Sequence, residues 1–318
     1  MPVIAEPETM QRSMSLLKTT TKAVPILLLA RMFCQSSMQT VVLLDKRRII
    51  MNDFISRFGF STTPFTCEIR VEEHFTSEIY QSPLEYLFRT VQKRMSGALI
   101  APAGTGKTAL LRALKARLPE ARYHVYYLKV TDLSKRDLCR EIAASVGAEP
   151  AGNYPALVRR LQERFSSVSD IDGIRPVVII DEAHDIRPEV LGLFRILTNF
   201  EMDNRLVVSL ILAGQAPLKK MLHHPKLEDV AHRIAHCATL RLLSRKEINQ
   251  YIQHRCRIAG ATDCSFDNSA MEALYEIGRG NLRATDQLSL KSLEVAHDQS
   301  CDMVDATHVT EARGMLWA

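Results

Sequence analysis

The octapeptide Ala101-Pro102-Ala103-Gly104-Thr105-Gly106-Lys107-Thr108, directly after the apolar segment Ala98-Leu99-Ile100, constrains this chain more than any other feature. A short buried strand running into a glycine-rich turn closed by Gly-Lys-Thr predicts a phosphate-binding loop between a strand and a helix. Such a loop needs little bulk where backbone approaches phosphate, amide N–H groups turned inward, a lysine that reaches the β and γ phosphates, and a hydroxyl for magnesium. Gly104, Gly106, Lys107 and Thr108 meet these needs, and Ala101 to Thr108 together form the expected nucleotide-binding segment. Ala101 is the one departure, because the pattern G-x-x-x-x-G-K-[ST] has glycine there. A β-carbon is tolerable at that position if φ stays negative. Ala101 is therefore expected to tune affinity or turnover rather than disable the loop.

A second element fits the first. Val177-Val178-Ile179-Ile180 delivers Asp181-Glu182 to a strand end well downstream of Lys107. Asp181 is expected to order Mg2+ opposite Thr108, and Glu182 to act as the general base that polarises the attacking water. His184 is open between a hydrogen-bonded core histidine and a relay to the γ-phosphate. Asp181-Glu182-Ala183-His184 also spells the tetrapeptide of one helicase group, but tandem motor domains need more chain than the 318 residues here.

Hydropathy patterning predicts an α/β fold, a parallel sheet with helices on both faces followed by a small all-helical part. Strands are expected at 98–100, 123–130, 177–180 and 207–213, with a last one around Thr239 to Leu242. Helices are expected from Ser82-Pro83 to Arg94, after the loop, from the N-cap Ser134 to Val146, at 154–165, at 188–200 and near 227–234. Beyond Leu243 only helical patterns recur, at 244–258, 266–277, 282–296 and 306–316. The expected organisation is an extension at 1–50, a core domain at 51–243 and a helical lid at 244–318.

Composition excludes some classes. With 46% hydrophobic and 24% charged residues the chain reads as soluble and globular. Its seven cysteines contain no C-x-x-C pair, which suggests neither a disulfide framework nor a zinc site. The net charge of +5 is no footprint of nucleic-acid binding by the body of the chain, because residues 1–50 hold seven basic and only three acidic residues. The apolar run 24–30 is too short for a bilayer. A cytoplasmic protein with no membrane partner is expected.

The loop, the Asp181-Glu182-Ala183-His184 strand end, Leu197-Thr198-Asn199-Phe200-Glu201, Leu212-Ala213-Gly214-Gln215 and Gly280-Asn281-Leu282-Arg283, in that order, resemble the AAA+ ATPases of the ExeA type. These include the transposition helper ATPases of the TniB and TnsC kind. The resemblance covers about residues 51–300 and implies ATP hydrolysis with Mg2+. It implies that Gln215 occupies the position called sensor 1 and that Arg283, as sensor 2, reaches the phosphates from the lid. Arg233, with Arg241 as the weaker rival, would be the finger entering a neighbouring subunit's site, which makes the active form a ring or filament of copies of this chain. Lys129, Lys135 and Arg136 would face duplex DNA without reading its sequence.

Three readings follow. The first is an ATP-dependent helper that assembles on DNA, selects a target and recruits a transposase or integrase. A secretion-apparatus ATPase of the ExeA kind is the second; it is the weaker expectation, since those proteins add a membrane span and a cell-wall-binding domain. The third, which Ala101 keeps open, is an ATP-dependent switch or adaptor with little turnover.

Overall fold

Apolar runs with no polar face can be satisfied only in strands covered on both sides, and the computed structural model places them there. It describes residues 54–129, 132–150, 152–170, 173–202 and 204–316. The expected extension at 1–50 lies outside the described residues, and the chain from Ile55 onward forms one compact unit. Its strands are β1 (Ser96–Ile100), β2 (Tyr123–Lys129), β3 (Arg175–Asp181), β4 (Ser209–Gly214) and β5 (Ile234–Thr239). They form one parallel sheet in the order β2-β3-β4-β1-β5. Every residue of the inner strands β1 and β4 is buried.

The helices are α1 (Glu78–Gln92), α2 (Lys107–Arg117), α3 (Lys135–Ser145), α4 (Tyr154–Asp170), α5 (Pro188–Leu191), α6 (Leu193–Leu197), α7 (Ala216–Leu222) and α8 (Glu228–Ala231). On one face of the sheet Leu138 and Ile142 of α3 and Leu161 and Phe165 of α4 pack with Val178 and Ile180. On the other, Leu87 and Val91 of α1 and Leu110, Leu111 and Leu114 of α2 pack with Leu99, Ile179 and Ile211. Burying these side chains drives the layering, at roughly 1.5–3 kcal/mol each.

After the sheet come α9 (Arg245–Ile258), α10 (Asn268–Gly278), α11 (Leu282–Asp298) and α12 (Ala306–Leu316). Each of the first three begins at a side chain that caps its first turn, Ser244, Asp267 or Asn281. Gly280 sits at the entry to this region with φ +78°, and a β-carbon there would meet the Leu243 carbonyl oxygen at 2.1 Å. Its own carbonyl accepts from Leu243 N at 3.0 Å, which ties the helical region to the end of the sheet. The segment before α1 packs on the same region: Phe65 meets Phe266 edge-on at 5.9 Å, and the Ser61 amide donates to the Ala259 carbonyl at 2.7 Å.

Four expectations need correction. Helix α1 starts at Glu78, not at Pro83, which lies inside it and lacks only the one amide that would bond back a turn. The helix expected at 188–200 is two short ones parted at Gly192 and ending at Leu197. The last strand is Ile234–Thr239 rather than 239–242; it is an edge strand, with exposed residues between partly buried ones, so no apolar run announces it. Arg233 accordingly stands in the turn before β5 and not on a helix.

Candidate functional site

A parallel sheet brings the carboxyl ends of all its strands to one edge. Here that edge holds the loop after β1, Asp181 at the end of β3 and Gln215 after β4. Ala101 continues β1: its amide donates to the Gly214 carbonyl at 2.9 Å and its side chain is fully buried in the core beneath α2. Ala101 is not among the residues with positive φ. The loop therefore accommodates a methyl group at this position, and the space a glycine would leave is filled by core packing.

Lys107 and Asp181 meet beneath the loop. Lys107 Nζ donates to Asp181 Oδ1 at 2.6 Å and lies 2.8 Å from Glu182 Oε2. The Thr108 hydroxyl donates to Asp181 Oδ2 at 3.1 Å, the Tyr127 hydroxyl donates to the same oxygen at 2.9 Å, and the Glu182 amide donates to Oδ1 at 2.8 Å. Burial opposes ionisation of Asp181, but the Lys107 ammonium and these donors outweigh it and hold the carboxyl below its ordinary range. Burial and the bond to Asp181 push the Tyr127 hydroxyl up, so it remains a donor.

Glu182 takes a left-handed backbone, φ 56° and ψ 33°. Non-glycine residues adopt that conformation at a cost, and such strain gathers at functional sites. It turns Glu182 back toward Lys107 instead of continuing the strand. Gln215 Nε2 lies 2.9 Å from His184 Nε2. With the amide donating, the imidazole carries its proton on Nδ1, which faces Glu182 Oε2 at 3.4 Å. Gln215, His184 and Glu182 thus lie in line from β4 to the lysine, with His184 Nδ1 and Glu182 Oε2 close to each other but not hydrogen-bonded.

The loop is also gripped from outside. Asn281 Nδ2 donates to the Ala103 carbonyl at 2.9 Å, the Arg283 amide to the Gly104 carbonyl at 3.3 Å and the Tyr80 hydroxyl to the Thr105 carbonyl at 3.0 Å, while within the loop the Thr105 hydroxyl donates to the Pro102 carbonyl at 2.8 Å. Gly104 has φ +73°, and a β-carbon on it would lie 2.2 Å from Asn281 Oδ1. Beside Gly106 a largely apolar cavity of about 260 Å3 opens between Phe75, Tyr80 and Leu84 on one side and Leu110, Tyr251 and Leu282 on the other.

Of the expected residues, Ala101 to Thr108, Asp181 and Glu182 are brought together, and Gln215 joins them through His184. Arg283 reaches the loop with its backbone amide, while its side chain is exposed. Arg233 lines a different cavity of about 500 Å3 with Arg195, Asp229 and His232. Arg241 is engaged by both carboxylate oxygens of Glu247, at 2.8 and 2.9 Å. Lys129, paired in register with Asp181, and Lys135 and Arg136 at the start of α3 are all exposed. Sequence reasoning missed Tyr80, Tyr127 and Asn281; only Asn281, at an N-cap in Gly280-Asn281-Leu282-Arg283, carried any local signal.

A resident cation fits the donor set. Thr108 Oγ1 and Asp181 Oδ2 are hard oxygen ligands 3.1 Å apart, and Mg2+ is commonly held by one or two protein oxygens with phosphate and water completing its octahedron. Among the described residues no group of three or more His, Cys, Asp or Glu side chains could hold a metal. No described helix is long and apolar enough to cross a membrane.

Residues 89–222 match the family model described as an AAA domain. General secretion pathway protein A of Aeromonas hydrophila is 29% identical over 226 residues, which are 70% of this chain and 41% of that protein, so the chain spans less than half of that relative's length. The fold is similar to that of the Aeropyrum pernix ORC1 protein, solved in complex with DNA, with a TM-score of 0.62 at 17% identity over 81% of this chain and 70% of that one. It is also similar to Cdc6p from Pyrobaculum aerophilum, with a TM-score of 0.61 at 16% identity over 82% and 71% of the two chains. The sheet order, the loop after β1 and the acid pair after β3 give this chain the P-loop NTPase fold, and its segment 89–222 is similar to an AAA domain.

Proposed function

We propose that this chain binds and hydrolyses ATP with Mg2+, and that copies of it assemble on duplex DNA as an ATP-dependent helper of DNA transposition. The observation that carries the ATPase reading is the convergence of Lys107, Thr108, Asp181 and Glu182 at one sheet edge. In this reading the loop amides and Lys107 hold the phosphates, and Thr108 and Asp181 hold Mg2+, which would neutralise charge on the phosphate oxygens. Glu182 accepts the proton of the attacking water, with His184 and Gln215 in line behind its carboxylate, and Arg283 swings from the lid. The apolar cavity beside Gly106 takes the base.

Assembly and DNA contact rest on less local features. Arg233 lies at a surface cavity with Arg195 and His232, where a second copy could supply its nucleotide. Lys129, Lys135 and Arg136 leave the sheet edge exposed next to the site, and lysine and arginine there would neutralise phosphates without reading bases. Co-sedimentation with duplex DNA tests this reading: binding should require MgATP and fall steeply with added salt. Absence of binding at low salt with MgATP would exclude it.

The likeness to General secretion pathway protein A favours a second reading, an ATPase of a secretion apparatus. The same experiment separates the two, because that reading predicts no MgATP-dependent co-sedimentation with DNA.

A further inference from the structure

The grip on the outside of the loop has a consequence for its inside. In a trans peptide unit the C=O and the following N–H point in opposite directions, and no cis bond occurs among the described residues. Three consecutive carbonyls, those of Ala103, Gly104 and Thr105, are each held by a donor from outside the loop. The amides of Gly104, Thr105 and Gly106 are therefore all turned the other way, into the loop. Two of the three donors, Asn281 Nδ2 and the Arg283 amide, belong to the start of the helical region.

Asn281 is placed to do two jobs at once. Its Oδ1 accepts from the Ala284 amide at 3.2 Å and caps α11, while its Nδ2 donates to the loop. The contact is close, since Gly104 leaves no room for a β-carbon between loop and amide.

We propose that Asn281 is a positioning residue that locks the inward-facing amides of the loop to the start of α11, so that phosphate affinity and docking of the C-terminal helices rise and fall together. This rests on the reading of the loop as a phosphate site. Coupling of this kind is reciprocal: a docked α11 raises nucleotide affinity, and bound nucleotide holds α11 in place.

The two jobs can be separated by substitution in the full chain. Asn281→Asp and Asn281→Ser keep a side-chain oxygen that caps α11 but lose the donor to Ala103, whereas Asn281→Ala loses both. The expected result is a Kd for MgATP and for MgADP raised about tenfold in the Asp and Ser variants, the worth of one well-made hydrogen bond. Their nucleotide-free Tm should fall by less than that of Asn281→Ala, and KM should rise with kcat little changed. Asn281→Ala should show the same affinity loss and also a lower Tm.

Parent-like affinity in the Asp and Ser variants would overturn the inference, and so would affinity losses that merely track Tm across the series, which is the signature of a helix cap alone. If the parent chain itself binds neither nucleotide, it is the reading of the loop that fails, and the inference falls with it.

Discussion

Lys107 and Asp181, 74 positions apart, meet at 2.6 Å with side chains 7% and 2% exposed. Two opposite charges so nearly removed from water depend on each other, because either one left alone would be a buried, uncompensated charge. The sign of the pH effect follows. Lys107 holds the Asp181 carboxyl below its ordinary range, so the pair contributes stability that is present above the usual carboxylate range and is lost as pH falls through the depressed value.

Lys107→Met should therefore be less stable than the parent at neutral pH, with the difference shrinking as pH falls toward and through the usual carboxylate range, because burial favours the neutral form of the unpaired Asp181. Thermal melts of both proteins from pH 7.5 downward check this. A difference that is constant with pH would mean the pair does not hold the carboxyl ionised.

Glu182→Gln should leave nucleotide binding intact and slow hydrolysis by about 10² or more, the range for a positioned acid–base group. Glutamine preserves size and tolerates the same left-handed backbone as well as glutamate does. Steady-state turnover with a parallel binding titration is the measurement, and equal turnover would remove Glu182 from the role of base.

Tyr127→Phe should raise the Mg2+ concentration needed for half-maximal turnover about three- to tenfold, because Asp181 Oδ2 loses a donor that fixes its direction. The ring is 43% exposed, so little change in Tm is expected. A magnesium titration of ATPase activity is the check, and an unchanged requirement would leave Tyr127 as a packing residue only.

How much of this was visible beforehand depends on the distance over which each signal acts. The loop and Asp181-Glu182 are local patterns at the ends of apolar strands, and the inner strands are apolar on both faces, so both could be read from the chain. Strand β5 could not, because an edge strand such as Ile234–Thr239 alternates with solvent and resembles a loop. The bonds from Tyr80, Tyr127 and Asn281 cross 25, 54 and 178 positions, and no local periodicity encodes a donor that arrives from so far away. The resemblance named Arg283 for its side chain; the contact found is made by its backbone amide.

Away from the loop, Asp286 is pushed up to about 6 by burial, against the opposing pull of Arg255 and the Tyr251 hydroxyl. A carboxyl raised in the folded state favours folding when protonated, so its contribution is lost as pH rises from about 4 through about 6. Asp286→Asn, which can still accept from Tyr251, should flatten the pH dependence of Tm in that window. Melts at half-unit pH steps decide it, and an unaltered profile would contradict the assignment.

The central claim is that Ala101 to Thr108, with Asp181 behind it, is a nucleotide site despite the alanine at its head. Calorimetric titration of the parent chain and of Lys107→Ala with MgATP tests this most directly. Saturable binding of one nucleotide per chain in the parent, abolished in the variant, is the predicted result; equal binding in both, or none in either, would contradict it.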